Sequence, residues 1–427
     1  MLNPVFAAQH LRAFVPLFHR VARQLELVLQ QLIAEGSREV ELVDWISRLA
    51  VELIAQGALG CTFDSLSPNA GKHEFAAALK KYAPATSSLH FLRRVTHLLP
   101  KWPRILRFCA CRIPSAKVHN IIRICDIMHK YSMQIFEEKK ALLGNGDEEF
   151  AHQLSEGKDI ISLLMRENKN AAERARLSEE EIIGQIGCVR VLSCAAHTDR
   201  SSRTFLFAGS ETTSVALSRI LLLLAENPNV QAKLRDELKE AFTSLPDGEM
   251  TYEVLSELPY LDAVCRETLR VYPPVSFISR TCKKGVAIPL SQPIETSDGP
   301  LSAIFVPQGT DTLVHLTAIN RSKQIWGADA EEWKPERFLS PLPESVGEAH
   351  IPGVYSNTMT FSAGGYSCIG FKFAELELKV VLAHLVRSFR FSPSQSEIVW
   401  KYGGLTTPSV KGSDAVGPKL PMVVERL

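Results

Sequence analysis

The 427-residue chain has almost no net charge: 48 Lys and Arg stand against 47 Asp and Glu, and the formal charge is +1. Without a basic block it lacks the electrostatic footprint of a nucleic-acid binder, because phosphates need clustered Lys and Arg. It also lacks a long apolar run. The longest plain aliphatic stretch, Ile220–Ala225, falls far short of the roughly 20 residues that cross a bilayer. Met1-Leu2-Asn3-Pro4 leads straight into an amphipathic pattern, with none of the features of a secretory signal. No C-x-x-C pair is present. The nine cysteines are scattered and odd in number, which argues against a disulfide framework or a zinc cluster. Most read as small buried hydrophobes in a reducing compartment. Cys109-x-Cys111 with His119 and His129 matches no common zinc spacing, and the neighbouring Arg and Lys residues oppose a cation. No repeat or low-complexity tract is visible. The composition that remains, 45% hydrophobic with 24 Gly and 24 Pro, is that of an ordinary globular protein.

Helical periodicity fills the first two-thirds. Leu11, Phe14, Leu17, Phe18, Val21, Leu25, Val28, Leu29 and Leu32 recur at helical spacing until Gly36. A second helix from about Asp44 ends near Gly57 or Gly60. Ser178-Glu-Glu-Glu reads as an N-cap followed by acids at the positive end of the helix dipole. Thr204–Glu226 is a long, mostly apolar helix; Asn227-Pro228 closes it and opens the next, with Asn as N-cap and Pro at the first position. Another helix runs from about Pro259 to Val271, ended by Pro273-Pro274. Strand signals follow at Gly285–Leu290, Ala303–Val306 and Thr312–Leu316, and a last helix spans about Ile369–Val386. The basic stretch Lys101–Arg112 reads first as a solvated face, with a membrane or protein contact as the alternative. The chain is mainly α with a small β portion, most simply a single domain.

Three constellations carry chemistry. In Phe361-Ser-Ala-Gly-Gly-Tyr-Ser-Cys368-Ile-Gly370 one cysteine stands at a helix mouth behind Gly364 and Gly365, which permit positive φ and close approach to something flat. A thiolate stabilised by helix N-terminal amides is a sound axial ligand for haem iron. The alternative is an inert buried Cys at a helix start. Glu267-Thr-Leu-Arg270 puts an acid and a base on one helix face, and Arg337 of Lys334-Pro-Glu-Arg-Phe338 can complete a buried triad; an exposed helix ion pair is the plainer reading. Ala208-Gly209-Ser210-Glu211-Thr212-Thr213 sets polar groups inside an apolar helix. A Thr hydroxyl diverted to a backbone carbonyl, together with Gly209, can open a groove for O2 and water, with Glu211 and Thr212 relaying protons. A polar stripe where the helix surfaces is the alternative.

In this order the motifs resemble the cytochrome P-450 family, from about Asn3-Pro4-Val5-Phe6 to the C-terminus, with wording similar to fungal microsomal members. The resemblance implies the cytochrome P-450 fold, α-rich with small β-sheets. It implies haem b (heme b) with Cys368 as its thiolate and metal ligand, and cofactor-binding roles for Arg280, Tyr366, Gly364, Gly370 and Phe361. It makes Glu211 and Thr212 the dioxygen-activating pair, and Glu267, Arg270 and Arg337 the structural triad. Substrate contacts fall on Phe207-Ala208, Val275–Ser279 and Gly403–Thr406. The implied reaction is monooxygenation of an apolar small molecule, with O2, two electrons from an NADPH–cytochrome reductase, and an endoplasmic-reticulum setting on the cytoplasmic face. A haem-thiolate isomerase or dehydratase, or a haem-poor inactive remnant, are the other readings; the Glu211–Thr212 pair speaks against the isomerase.

Three departures stand out. Tyr366 occupies a position that is usually Arg or His; it donates one hydrogen bond and carries no charge at neutral pH, so weaker haem retention is expected. The chain is expected to lack the family's N-terminal anchor, first strands and early helices. Finally, Gly187–Arg203 interrupts the amphipathic pattern ahead of the long helix, and is expected to be retained intron sequence or a surface loop.

Overall fold

The apolar stripe of the first helix, Ala8–Ala34, is buried at Leu11, Phe14, Phe18, Val21, Leu25 and Leu29, as its spacing predicts. Phe14 and Phe18 pack on Phe373, with ring centroids 5.9 and 5.0 Å apart. Phe373 belongs to the last helix, Phe371–Ser388, which is buried over most of its length, its charged Glu377 and Lys379 included. In this computed structural model the described residues are 6–36, 38–67, 74–87, 103–144, 159–170, 176–186, 205–245, 249–414 and 417–427; residues 187–203 and Asn3-Pro4-Val5 lie outside them.

Leu42–Ile54 continues through one π-helical turn, Ala55–Leu59, and stops where Gly60 adopts φ +62°. Its partner is Phe205–Glu226, buried along most of its length and packed also on the last helix. By length and composition this helix could cross a membrane, but 67% of its apolar window is buried inside the protein, which makes it a core helix. Its mid-section approaches Leu42–Ile54 so closely that a Cβ on Gly209 would stand 2.8 Å from Ile54 Cδ1. Gly209 therefore serves helix packing, with Ile54 filling the space on its Cβ side.

Helix ends follow the sequence with one revision. Ser178 and Glu181 form a capping box: the Glu181 N–H donates to Ser178 Oγ, and the Ser178 N–H donates to the Glu181 carboxylate at 2.9 Å. Asn227 occupies the N-cap position before Pro228, but its side chain donates backwards to Leu223 O at 2.8 Å and so satisfies the end of the preceding helix. Arg235 does similar work at the last helix, donating to Val386 O at 2.9 Å and Phe389 O at 3.0 Å.

The β portion is larger than the strand signals suggest. Val286–Thr296 and Gly299–Val306 make a hairpin, and Phe277–Thr281 pairs antiparallel with Asp311–His315. A three-stranded sheet draws Glu39–Glu41, Pro421–Arg426 and Phe389–Pro393 together from both ends of the chain. Two further hairpins are Ile398–Tyr402 with Thr406–Val410 and Gly353–Tyr355 with Thr358–Ala363.

The close helix approach is testable. Gly209→Ala should destabilise the fold by about 1–3 kcal/mol in chemical denaturation. Adding Ile54→Ala should make the pair clearly non-additive, because the new methyl then has room.

Candidate functional site

Glu267 and Arg270 have no solvent exposure, which excludes the surface ion pair. Arg270 Nε and Nη2 each donate to a Glu267 oxygen at 2.7 Å, a bidentate pair. Arg337 Nε adds a bond to Glu267 Oε1 at 3.2 Å, and the Lys334 N–H another at 3.0 Å. The remaining Arg270 donors reach the carbonyls of Asn320, Ala330 and Glu332. Arg337 also binds Asp329, whose carboxyl is held down at about 2 by hydrogen bonds from Arg337 and Lys334. Burial opposes the charge of Arg337, yet Asp329 and Glu267 outweigh it and hold the guanidinium above its usual range.

This cluster is tied to the cysteine loop. The Asn320 side chain accepts the Met359 N–H at 2.7 Å and donates to Thr360 Oγ1 at 2.9 Å, while Thr360 Oγ1 donates to Leu269 O at 2.7 Å. Thr358–Ala363 is thus clamped to the helix that carries Glu267 and Arg270. Beyond it the chain turns at Gly364, φ +63°, and Ser362 is held at φ +60°. The turn closes when the Cys368 N–H donates to Phe361 O at 2.8 Å and the Ser367 N–H to Gly364 O at 3.0 Å. Phe361 supports the loop from below, edge-on to Tyr355 at 5.2 Å. Gly364 and Gly365 face open space, with no atom within 4 Å of an added Cβ.

Cys368 is exposed. That removes the inert buried-cysteine alternative and separates it from Cys61 and Cys265, whose thiols burial pushes up, to about 12 at Cys61. One expectation is revised: the last helix begins at Phe371 with Gly370 as its N-cap, so Cys368 stands ahead of the helix and spends its own N–H within the loop. Only Gly364 of the glycine pair uses positive φ.

Arg280 and Tyr366 converge, the guanidinium carbon 5.6 Å from the Tyr366 ring centroid, and Tyr366 is 64% exposed. Arg280 also donates to Ser279 O at 2.9 Å. The segments expected to touch substrate meet as well: the Thr406 N–H donates to Pro274 O at 3.1 Å, and Ser276 and Thr406 hydroxyls lie 3.1 Å apart. Phe277 stacks on His315 at 4.1 Å and meets Tyr402 edge-on. On the core helix Thr212 donates to Ala208 O at 2.7 Å, the diversion its position suggests, beside half-buried Glu211. An exposed thiol on a glycine turn, a cationic and a phenolic side chain beside it, and open space above both glycines suit a flat, anionic, iron-bearing macrocycle; the donor set fits haem.

Sequence reasoning passed over Glu377. It lies fully buried on the last helix, neither oxygen has a hydrogen-bond partner among the described residues, and burial, only weakly opposed by nearby Thr213, pushes its carboxyl well above the usual range. Its signal was weak: one acid among Leu376, Leu378 and Val380 on a helix whose periodicity looks one-sided only when the fold is known.

Known proteins bear out the class. Residues 1–413 match the family described as Cytochrome P-450. The chain is 43% identical over 430 residues to Cytochrome P-450 monooxygenase 91 of Postia placenta, covering all of this chain and 76% of that protein. It is 39% identical to the ganoderic acid synthetase of Ganoderma lucidum, again covering all of this chain and 76% of that protein. An α-rich protein with small antiparallel sheets, the chain belongs to the cytochrome P-450 family. It is a P-450 monooxygenase, and haem b bound through a cysteine thiolate is the family's cofactor.

Two outcomes follow. Glu267→Ala leaves two guanidiniums without their shared carboxylate and should cost about 3–5 kcal/mol in denaturant titration. For Glu377, the raised folded-state value means stability is lost as pH climbs from the ordinary carboxylate range toward that value. Glu377→Gln should therefore be more stable than the parent at mildly alkaline pH and nearly equal in acid, read as Tm against pH.

Proposed function

We propose that Cys368 supplies the haem thiolate, that Arg280 and Tyr366 hold the propionates, and that Glu211 and Thr212 deliver protons for dioxygen activation. The observation that carries this reading is the exposed Cys368 on its Gly364 turn, facing open space beside Arg280 and Tyr366. Bound haem supplies O2 binding and O–O cleavage, helped by electron donation from the thiolate. Phe361 braces the loop from below, and Gly370 lets the chain turn into the last helix. Because Thr212 gives its proton to Ala208 O, its oxygen lone pairs stay available to accept a hydrogen bond. Glu211, half-buried one residue earlier, can carry a proton from solvent toward that oxygen.

The substrate is an apolar small molecule, bounded by Phe207-Ala208, Val275–Ser279 and the turn Gly403–Thr406. Two electrons come from an NADPH–cytochrome reductase, and the enzyme works at the cytoplasmic face of the endoplasmic reticulum, as fungal members do. An isomerase or dehydratase that leaves O2 alone has no use for the Glu211–Thr212 pair. Arg280 and Tyr366 together offer one charge and one phenolic hydrogen bond, so haem is held less firmly than by two charged groups.

Cys368→Ala should abolish the red-shifted Soret band that an iron-bound thiolate gives with reductant and carbon monoxide. A parent chain with no haem absorbance would instead favour the inactive remnant. Tyr366→Arg should slow haem transfer to an apo-globin acceptor several-fold, because a second guanidinium then faces the carboxylates.

A further inference from the structure

Seven residues beyond Thr212 on the core helix, Arg219 enters a cavity of about 110 Å³ that it shares with Arg321, Tyr272, Ser276, Thr317 and Trp400. The Arg219 guanidinium carbon lies 3.3 Å from the Trp400 ring centroid and 4.3 Å from that of Tyr272. Arg321 approaches the same Tyr272 ring at 4.9 Å and uses its Nε on Val271 O at 2.6 Å. Two guanidiniums therefore flank one phenol ring, and the described lining residues include no carboxylate.

The donors are unmatched. Arg219 makes no hydrogen bond or ion pair with any described residue. Trp400 Nε1 and Thr317 Oγ1 are both buried without a partner among the described residues. Buried donors are nearly always paired, so several in one small space mark a place for an acceptor. Burial pushes Arg219 down to about 9 and the charge of Arg321 adds to this; Tyr272 and, less, Glu226 two turns on offset only part of it. An anion in the cavity would relieve both effects. The volume equals roughly three or four waters, room for a carboxylate group but not a bulky one.

We propose that this cavity is a carboxylate site, in which Arg219, Arg321 and the Trp400 indole N–H grip a small organic acid or the acid end of a longer substrate. Thr212, Val215 and Arg219 fall on one face of their helix, with Arg219 about 10 Å along the axis from Thr212. Ser276 and Thr406, which meet at the cavity, belong to the segments assigned above to substrate contact. The longer-substrate form rests on that assignment; the carboxylate site itself does not.

The test is thermal unfolding of the haem-loaded full chain in sodium acetate against acetamide, at constant ionic strength made up with sodium chloride. The parent should show a saturable rise in Tm with acetate and none with acetamide. Arg219→Met should remove the acetate response, and Trp400→Phe, which keeps an aromatic ring under Arg219 but loses the N–H and the rest of the indole, should weaken it at least about threefold. Equal responses to acetate and acetamide, or parent-like acetate responses in Trp400→Phe and Arg219→Met, would overturn the proposal; if Arg219→Met does not fold, Trp400→Phe decides. Octanoate against octanol then separates the sources. Saturation by octanoate at a tenfold lower concentration than acetate, lost in Trp400→Phe while octanol is unaffected, identifies the acid end of a longer ligand. Octanoate no better than acetate identifies a free small acid. Either result leaves the haem reading untouched, since that reading is decided by the Cys368 spectrum.

Discussion

Glu267 and Arg270 are removed entirely from water, and the surrounding chain is arranged to make that tolerable. A buried ion pair gains little over apolar packing, but breaking one partner away is severe, so every remaining donor and acceptor needs a fixed companion. Here the companions are backbone groups at Asn320, Ala330, Glu332 and Lys334, together with Arg337. Satisfying one bidentate pair thus dictates the path of an irregular stretch that has little regular hydrogen bonding of its own. Asn320 and Thr360 pass this constraint to Thr358–Ala363, and that strand delivers the Cys368 loop. The charge cluster and the thiol are far apart in sequence and in chemistry; one positions the other.

The core helix carries three different tasks along its length. At Gly209 it needs no side chain, because Ile54 fills the space. At Glu211 and Thr212 it presents an acid and a hydroxyl. At Arg219 it brings a cation into an aromatic cavity. Back-bonding lowers the cost at Ser210 and Thr212, whose hydroxyls donate to carbonyls one turn earlier. The buried Glu377 beside Thr213 belongs to the same polar seam between the core helix and the last helix, and burial pushes its carboxyl well above the usual range.

Much of the helical frame is legible from spacing. The first helix, the capping box at Ser178–Glu181, and the helix Pro259–Val271 appear where apolar periodicity, caps and prolines put them. Local sequence speaks for helices because their hydrogen bonds are local. Strands such as Glu39–Glu41, Phe389–Pro393 and Pro421–Arg426 are short, and Glu39–Glu41 finds its partner at the other end of the chain, so nothing nearby announces it. Asn227 shows the same limit on a smaller scale: its type marks a helix boundary, but only packing decides that its amide serves the helix behind it.

The sequence by itself determined the residue types and their order: a glycine turn before Cys368, an acid and two arginines at Glu267, Arg270 and Arg337, and an acid–hydroxyl pair in an apolar helix. Those are covalent facts, and their spacing already restricts the chemistry. Tertiary structure decided which of them are dry and which are open. It buried Glu267, Arg270 and Glu377, left Cys368 and Tyr366 facing outward, and closed Arg219, Arg321 and Trp400 around one cavity. Burial and convergence depend on surfaces contributed by segments hundreds of residues apart, and no local pattern contains that information.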